Sequence, residues 1–139
     1  MADLTVTAAN VGVASENDVV LIVGVAGEAI DRGEVVYYDS GVSPPKYKLA
    51  ANDTANKATA TGLAQSESAA DGDEIIIQMA GKVKAGATLT KGEIYYVSAN
   101  AGKIAPFADL LAGDYVTSVY RATSTSEAQL DFDATGTLL

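Results

Sequence analysis

Three features of the 139-residue sequence predict an all-β domain. Short apolar and aromatic runs rich in Val, Ile, Thr and Tyr alternate with turns of Gly, Asn, Asp and Ser, the pattern of strands and their connections. Amphipathic helical runs are hard to find, and Leu, Lys and Arg are sparse. The third feature is a phrase that occurs twice. Ala26–Leu49, AGEAIDRGEVVYYDSGVSPPKYKL, returns as Ala85–Pro106, AGATLTKGEIYYVSANAGKIAP. Ala26, Gly27, Gly33 and Glu34 match Ala85, Gly86, Gly92 and Glu93 at a constant offset. Ile30 matches Leu89, Arg32 matches Lys91, and Tyr37-Tyr38 answers Tyr95-Tyr96 after a slip of one residue. Two related β-units, about 19–81 and about 82–136, therefore account for most of the chain. Two copies are too few for a solenoid, which needs at least three. A two-part single barrel or sandwich over 16–139 is expected, preceded by an extended arm over 1–15.

In chain order, Leu4-Thr5-Val6-Thr7 alternates and then gives way to small residues through Ala14. This reads as an extended arm able to add a strand to a neighbour's sheet edge. The competing reading is an edge strand of its own domain, or a frayed end. Asp18–Ala26, with four valines, is the most hydrophobic run and reads as a strand buried on both faces. A strand over Glu34–Asp39 follows, then a segment held extended or turning by Pro44-Pro45, then a return strand over Tyr47–Ala50. Ala51–Thr61 is a polar loop with room for one helical turn at Asn52–Asn56. Gly62–Gln65 and Glu74–Met79 are strands, the second ended by Gly81.

Lys82-Val83-Lys84 leads into the second unit, with a strand over Glu93–Ser98. Asn100-Ala101-Gly102 tolerates positive φ and supplies a reversal. Lys103–Pro106 returns, and Pro106 stops the pairing because it has no N–H to donate. Phe107–Ala112 is about a turn and a half of helix, closed by Gly113. Tyr115–Ala122 and Ala128–Asp133 close the sheet; in the latter, Leu130 and Phe132 share one face and Asp131 and Asp133 the other. Thr135–Leu139 is a small tail, loose or docked on a partner.

Composition narrows the functions open to such a domain. Eighteen acidic residues against nine basic give a net charge of −9. That balance opposes nucleic-acid binding, which needs clustered Lys and Arg, and docking to anionic lipid. Neither cysteine nor histidine occurs, which removes disulfides, thiolate nucleophiles, the commonest zinc ligands and the commonest general base. The opening lacks a basic segment followed by an apolar one, so no signal peptide is expected. The longest apolar run, Val19–Ala26, falls far short of the roughly 20 residues a bilayer span needs.

Candidate chemistry is thin. Asp71-Gly72-Asp73-Glu74 has neither the glycine at the sixth position nor the glutamate at the twelfth that an EF-hand loop needs, and reads as a turn leading into a strand. Asp131 and Asp133 share a strand face but read as solvated. No dinucleotide, phosphate-loop or serine-elbow glycine pattern is present. No enzyme activity, metal or cofactor is expected. The tyrosine pairs Tyr37-Tyr38 and Tyr95-Tyr96 stand out instead. Side chains alternate along a strand, so one ring of each pair faces the core and the other faces outward. The outward ring either packs on a neighbouring strand or anchors an interface, where tyrosine is enriched.

MADLTVTAANV, the two copies of the repeated phrase and the ending GDYVTSVYRATSTSEAQLDFDATG together resemble tailed-phage capsid cement, or head decoration, proteins nearly end to end. The double proline Pro44-Pro45 departs from the plain turn that this pattern leads one to expect. The resemblance implies a small barrel- or tulip-like domain on the outer surface of a phage head, made in the host cytoplasm and assembled as homotrimers. Its partner would be the major capsid protein. On that reading the arm residues Leu4, Thr5, Val6, Thr7 and Asn10 bind the shell, helped by an outward tyrosine from Tyr37, Tyr38, Tyr95 and Tyr96. A tail- or fibre-associated β-module is the alternative. A carbohydrate-binding module would want exposed aromatics in a groove, and the chain has no tryptophan.

Overall fold

The computed structural model describes residues 3–14 and 18–139. The domain is all-β, as expected, and consists of two antiparallel sheets. The first unit supplies β2 (Val20–Val25), β3 (Val35–Asp39), β4 (Lys46–Leu49), β5 (Ala60–Ala64) and β6 (Glu74–Ala80), in the spatial order β2-β6-β5-β3-β4. The second supplies β7 (Lys82–Ala85), β8 (Ile94–Val97), β9 (Ile104–Pro106), β10 (Tyr115–Ala122) and β11 (Glu127–Leu138), in the order β7-β11-β10-β8-β9. Strand for strand this is one topology used twice. A further strand, β1 (Val11–Val13), is added to the β7 edge of the second sheet. Neither sheet closes into a barrel; in the first, a single bridge between Ala26 and Tyr47 ties the end of β2 to β4.

The repeated residues make repeated hydrogen bonds. Gly33 N–H donates to Ala64 O at 2.8 Å, and Ala64 N–H returns to Glu34 O at 2.9 Å. Gly92, Ala122 and Glu93 form the same pair of bonds at 2.8 and 2.9 Å. Gly33 and Gly92 have φ of +91° and +86°, a region that costs other residues dearly, so both copies keep glycine there. The matched Ile30 and Leu89 are both buried.

Two hydrophobic clusters hold the sheets. The larger lies between the units and contains Val83, Tyr95, Val97, Val119, Tyr120 and Leu130 from the second, with Val35, Tyr37 and Leu63 from the first. The smaller belongs to the first unit: Ala26, Ile30, Val36, Tyr47, Ala64, Ile75 and Ile77. Burial on both faces therefore falls to β3, where Val35 and Tyr37 enter one cluster and Val36 the other. The hydrophobicity of Asp18–Ala26 predicts burial on both faces; instead β2 is an edge strand whose one strand partner among the described residues is β6, with Val20, Leu21 and Val23 exposed. An uncharged run satisfies an edge as readily as a centre, and topology decides between them.

Polar groups also staple the units together. Asn52 is fully buried; its Nδ2 donates to Val97 O at 3.0 Å, its N–H to Ser98 O at 3.1 Å, and its carbonyl accepts from Tyr115 N–H at 2.9 Å. Thr117 Oγ1 donates to Ala58 O at 2.7 Å. Asn52→Ala leaves Val97 O without its buried donor and is expected to cost about 1–3 kcal/mol, read from urea unfolding monitored by circular dichroism.

Other elements refine the sequence reading. A single helical turn, α1 (Ala55–Ala58), is capped by Thr54, whose hydroxyl accepts from Lys57 N–H at 3.4 Å. The helix expected at Phe107–Ala112 shrinks to a 3-10 turn over Phe107–Asp109. The expected tail is no tail: β11 runs on to Leu138, which pairs with Tyr115. The Ser43–Pro44 bond is cis.

Candidate functional site

The proposed arm lies against its own domain. Leu4 N–H donates to Ile104 O on β9 at 2.8 Å, and Thr7 N–H to Gly86 O beyond β7 at 2.7 Å. A 3-10 turn over Ala8–Asn10 then delivers the chain to β1, where Val11, Gly12 and Val13 pair with Ala85, Lys84 and Val83. Residues 4–13 thus bridge the two edge strands, β9 and β7, that the second sheet leaves apart. Asp3 fastens the front of this strap, its carboxylate accepting from Ser98 Oγ at 2.5 Å and Asn100 Nδ2 at 2.9 Å. Val11–Val13 is an ordinary paired strand rather than part of a free arm, because β7 offers an open edge of the same chain.

Alternation within the strap separates anchors from outward groups. Leu4 and Val6 are half-buried against the larger cluster, while Thr5, Thr7 and Asn10 are exposed. Two open grooves flank it. One is lined by Asp3, Thr5, Thr88, Thr90 and Glu93, the other by Thr7, Asn10, Gly86, Thr88 and Ser126. The first also takes in Leu4, Tyr95 and Pro106 beside its two carboxylates, whereas hydroxyls and small side chains dominate the second.

The tyrosine pairs split as the strand period requires. Tyr37 and Tyr95 are buried; Tyr38 is exposed and Tyr96 half-buried. Each outward ring also has an aromatic neighbour: Tyr38 lies 5.0 Å from Tyr47, and Tyr96 lies 5.4 Å from Phe107 in an edge-to-face arrangement. Burial raises the Tyr37 phenol above its ordinary range, with the Asp39 carboxylate adding to the effect. Burial, then Tyr38, does the same to Tyr47. The hydrogen bond from Lys48 holds Asp39 below the usual carboxylate range, with the Nζ–Oδ2 distance at 3.0 Å.

Of the acidic residues at Asp71–Glu74, Asp71 and Asp73 are occupied in the turn, and Glu74 is exposed at the start of β6. Asp73 Oδ2 accepts from the N–H groups of Ala69 and Ala70, each at 3.0 Å, and Asp71 pairs with Lys46 at 2.6 Å. Asp131 and Asp133 are exposed on β11. Among the described residues no three acidic side chains converge as a metal site would require, and no helix is long and apolar enough to cross a membrane.

Two exposed apolar surfaces stand out, and of their residues the sequence reading singled out Tyr96 alone. One is Leu21 and Val23 on β2 with Ile76 beside them on β6, together with Val20 at the strand end. The other is Ile94 and Tyr96 on β8 with Phe107. The second has a history in the repeat. The outer face of β3 is covered by the second unit, whereas the equivalent face of β8 is left uncovered by the described chain. Ile94 followed by two tyrosines and Val97 carries no sign of which face will be covered. No family model, curated protein or solved structure matches the chain.

Proposed function

We propose that this protein is a capsid cement protein: it binds the outer surface of a phage head as homotrimers and stabilises the expanded shell by bridging major capsid subunits. The observation that carries the reading is the end-to-end pattern of the opening, the duplicated phrase and the ending. A small duplicated all-β body with two separate exposed apolar surfaces supports it. An expanding shell strains its subunit boundaries, and a clamp that spans them adds buried contact without touching nucleic acid. A stable contact buries roughly 800 Å² per partner, and three linked contacts gain from effective concentration. The net charge of −9 keeps such an exterior soluble.

Within that reading the strap divides its labour. Leu4 and Val6 anchor it to the domain, and Thr5, Thr7 and Asn10, with the flanking grooves, face the shell. Deleting the strap would uncover the core, so substitution is the sounder probe. Thr5→Arg with Thr7→Arg is expected to abolish attachment while leaving the thermal midpoint within a few degrees of wild type.

Co-sedimentation with undecorated expanded heads, and separately with unexpanded proheads, tests the function itself. Saturable binding to expanded heads alone is expected. Binding to neither would favour a tail- or fibre-associated module, which a copy number of a few per virion, rather than hundreds, would establish.

A further inference from the structure

We infer that the outer edge of β2 pairs with the β2 edge of a second copy of this chain, joining the two first-unit sheets across a two-fold axis. The duplication supplies the argument. β7 and β2 hold the same place in their sheets, each beside the last strand of its unit. The outer edge of β7 is covered by β1. The outer edge of β2 is met by Tyr47 at Ala26, where Gly27 N–H donates to Tyr47 O, and on that side Val20–Val23 has no backbone partner among the described residues.

The strand that covers β7 is Val11-Gly12-Val13, and β2 itself ends in Val23-Gly24-Val25. The chain thus carries, on the open edge, the kind of segment that fills the closed one. A long uncharged edge without proline is what proteins ordinarily protect with charges or a covering strand. Here no charged residue occurs between Asp18 and Glu28. In a chain of net charge −9 this is a place where two copies meet without opposing carboxylates.

The side chains fit the same arrangement. Ile22 turns in against the smaller cluster. Leu21 and Val23 turn out, 48% and 65% exposed, beside Ile76 at 41%. Antiparallel pairing about a two-fold axis would set these three beside their counterparts, extending one apolar strip across both molecules. The contact is isologous, so it is distinct from the heterologous contacts of a trimer and does not depend on attachment to a shell.

The absence of native cysteine makes the test clean. Val23→Cys treated with a short bismaleimide is expected to give cross-linked dimers on a denaturing gel, whereas Leu111→Cys, more exposed but on the second unit, is expected to give few. In sedimentation equilibrium, Val23→Lys should halve the mass of the largest species with an unchanged circular dichroism spectrum. Three results would each overturn the inference: equal cross-linking at both positions, no cross-linking at position 23, or a mass unaffected by Val23→Lys.

Discussion

Truncating Tyr120 to alanine is expected to cost about 3–5 kcal/mol, the range for emptying a large aromatic site. Tyr120 is 1% exposed and meets Tyr95 edge-on, with ring centroids 5.8 Å apart, in the cluster that both units share. Its hydroxyl has no hydrogen-bond partner among the described residues. Tyr120→Phe therefore keeps the packing and removes a buried polar atom, and its thermal midpoint is expected at or above that of wild type. Alkali provides a second reading of the same residue. Burial, with Tyr95 nearby, holds the folded phenol well above the ordinary 10.0. Above that ordinary value the unfolded chain has released the proton and the folded one has kept it, so stability falls as pH rises. Urea midpoints measured at about pH 9 and about pH 11 should show this fall, and Tyr120→Phe should lessen it.

Gly86→Ala is expected to lift the strap off the second sheet. A Cβ at Gly86 would stand 2.6 Å from Thr7 O and 2.8 Å from Val11 Cγ2, at a φ of +68°. Backbone strain of that kind costs roughly 1–3 kcal/mol, and here the cheapest relief is movement of the strap. Hydrogen exchange at the Leu4 and Thr7 amides should accelerate at least tenfold, with faster proteolysis between residues 4 and 13. Gly113→Ala makes a good comparison: its φ is +94° but nothing lies within 4 Å, so it should strain its own turn and leave the strap protected.

These effects follow from features the sequence reveals unevenly. The duplication was legible because turn geometry fixes residue type: Gly33 and Gly92 sit at positive φ, and Glu34 and Glu93 follow them into matching hydrogen bonds. Tyr115–Ala122 was legible to the residue, since its strand has clear turns on both sides. β2 was not, because Val19–Val25 reads the same on an edge as in a centre, and only pairing distinguishes them. Nor was the end of β11, where Thr135, Gly136 and Thr137 give little strand signal but have Tyr115 and Val116 to pair with. For the candidate site, Leu4–Thr7 alternates apolar and polar residues, but the sequence alone groups all four with Asn10 as one binding arm; the split into anchors and outward groups comes from the packing. That the anchors would face their own chain depended on contacts about a hundred residues away.

That distance has a consequence for how the molecule is made. Strands of the first sheet find all their strand partners between residues 20 and 80. The strap finds its partners much later: Asp3 and Ser98 are 95 residues apart, and Leu4 waits for Ile104. During synthesis, at about 5–20 residues per second, the first unit can assemble while the strap still has nothing to hold. Contacts of such separation form slowly because the intervening loop must be closed first. Residues 3–13 are thus made early and placed late. Until they are, the larger cluster stays open on the side they cover.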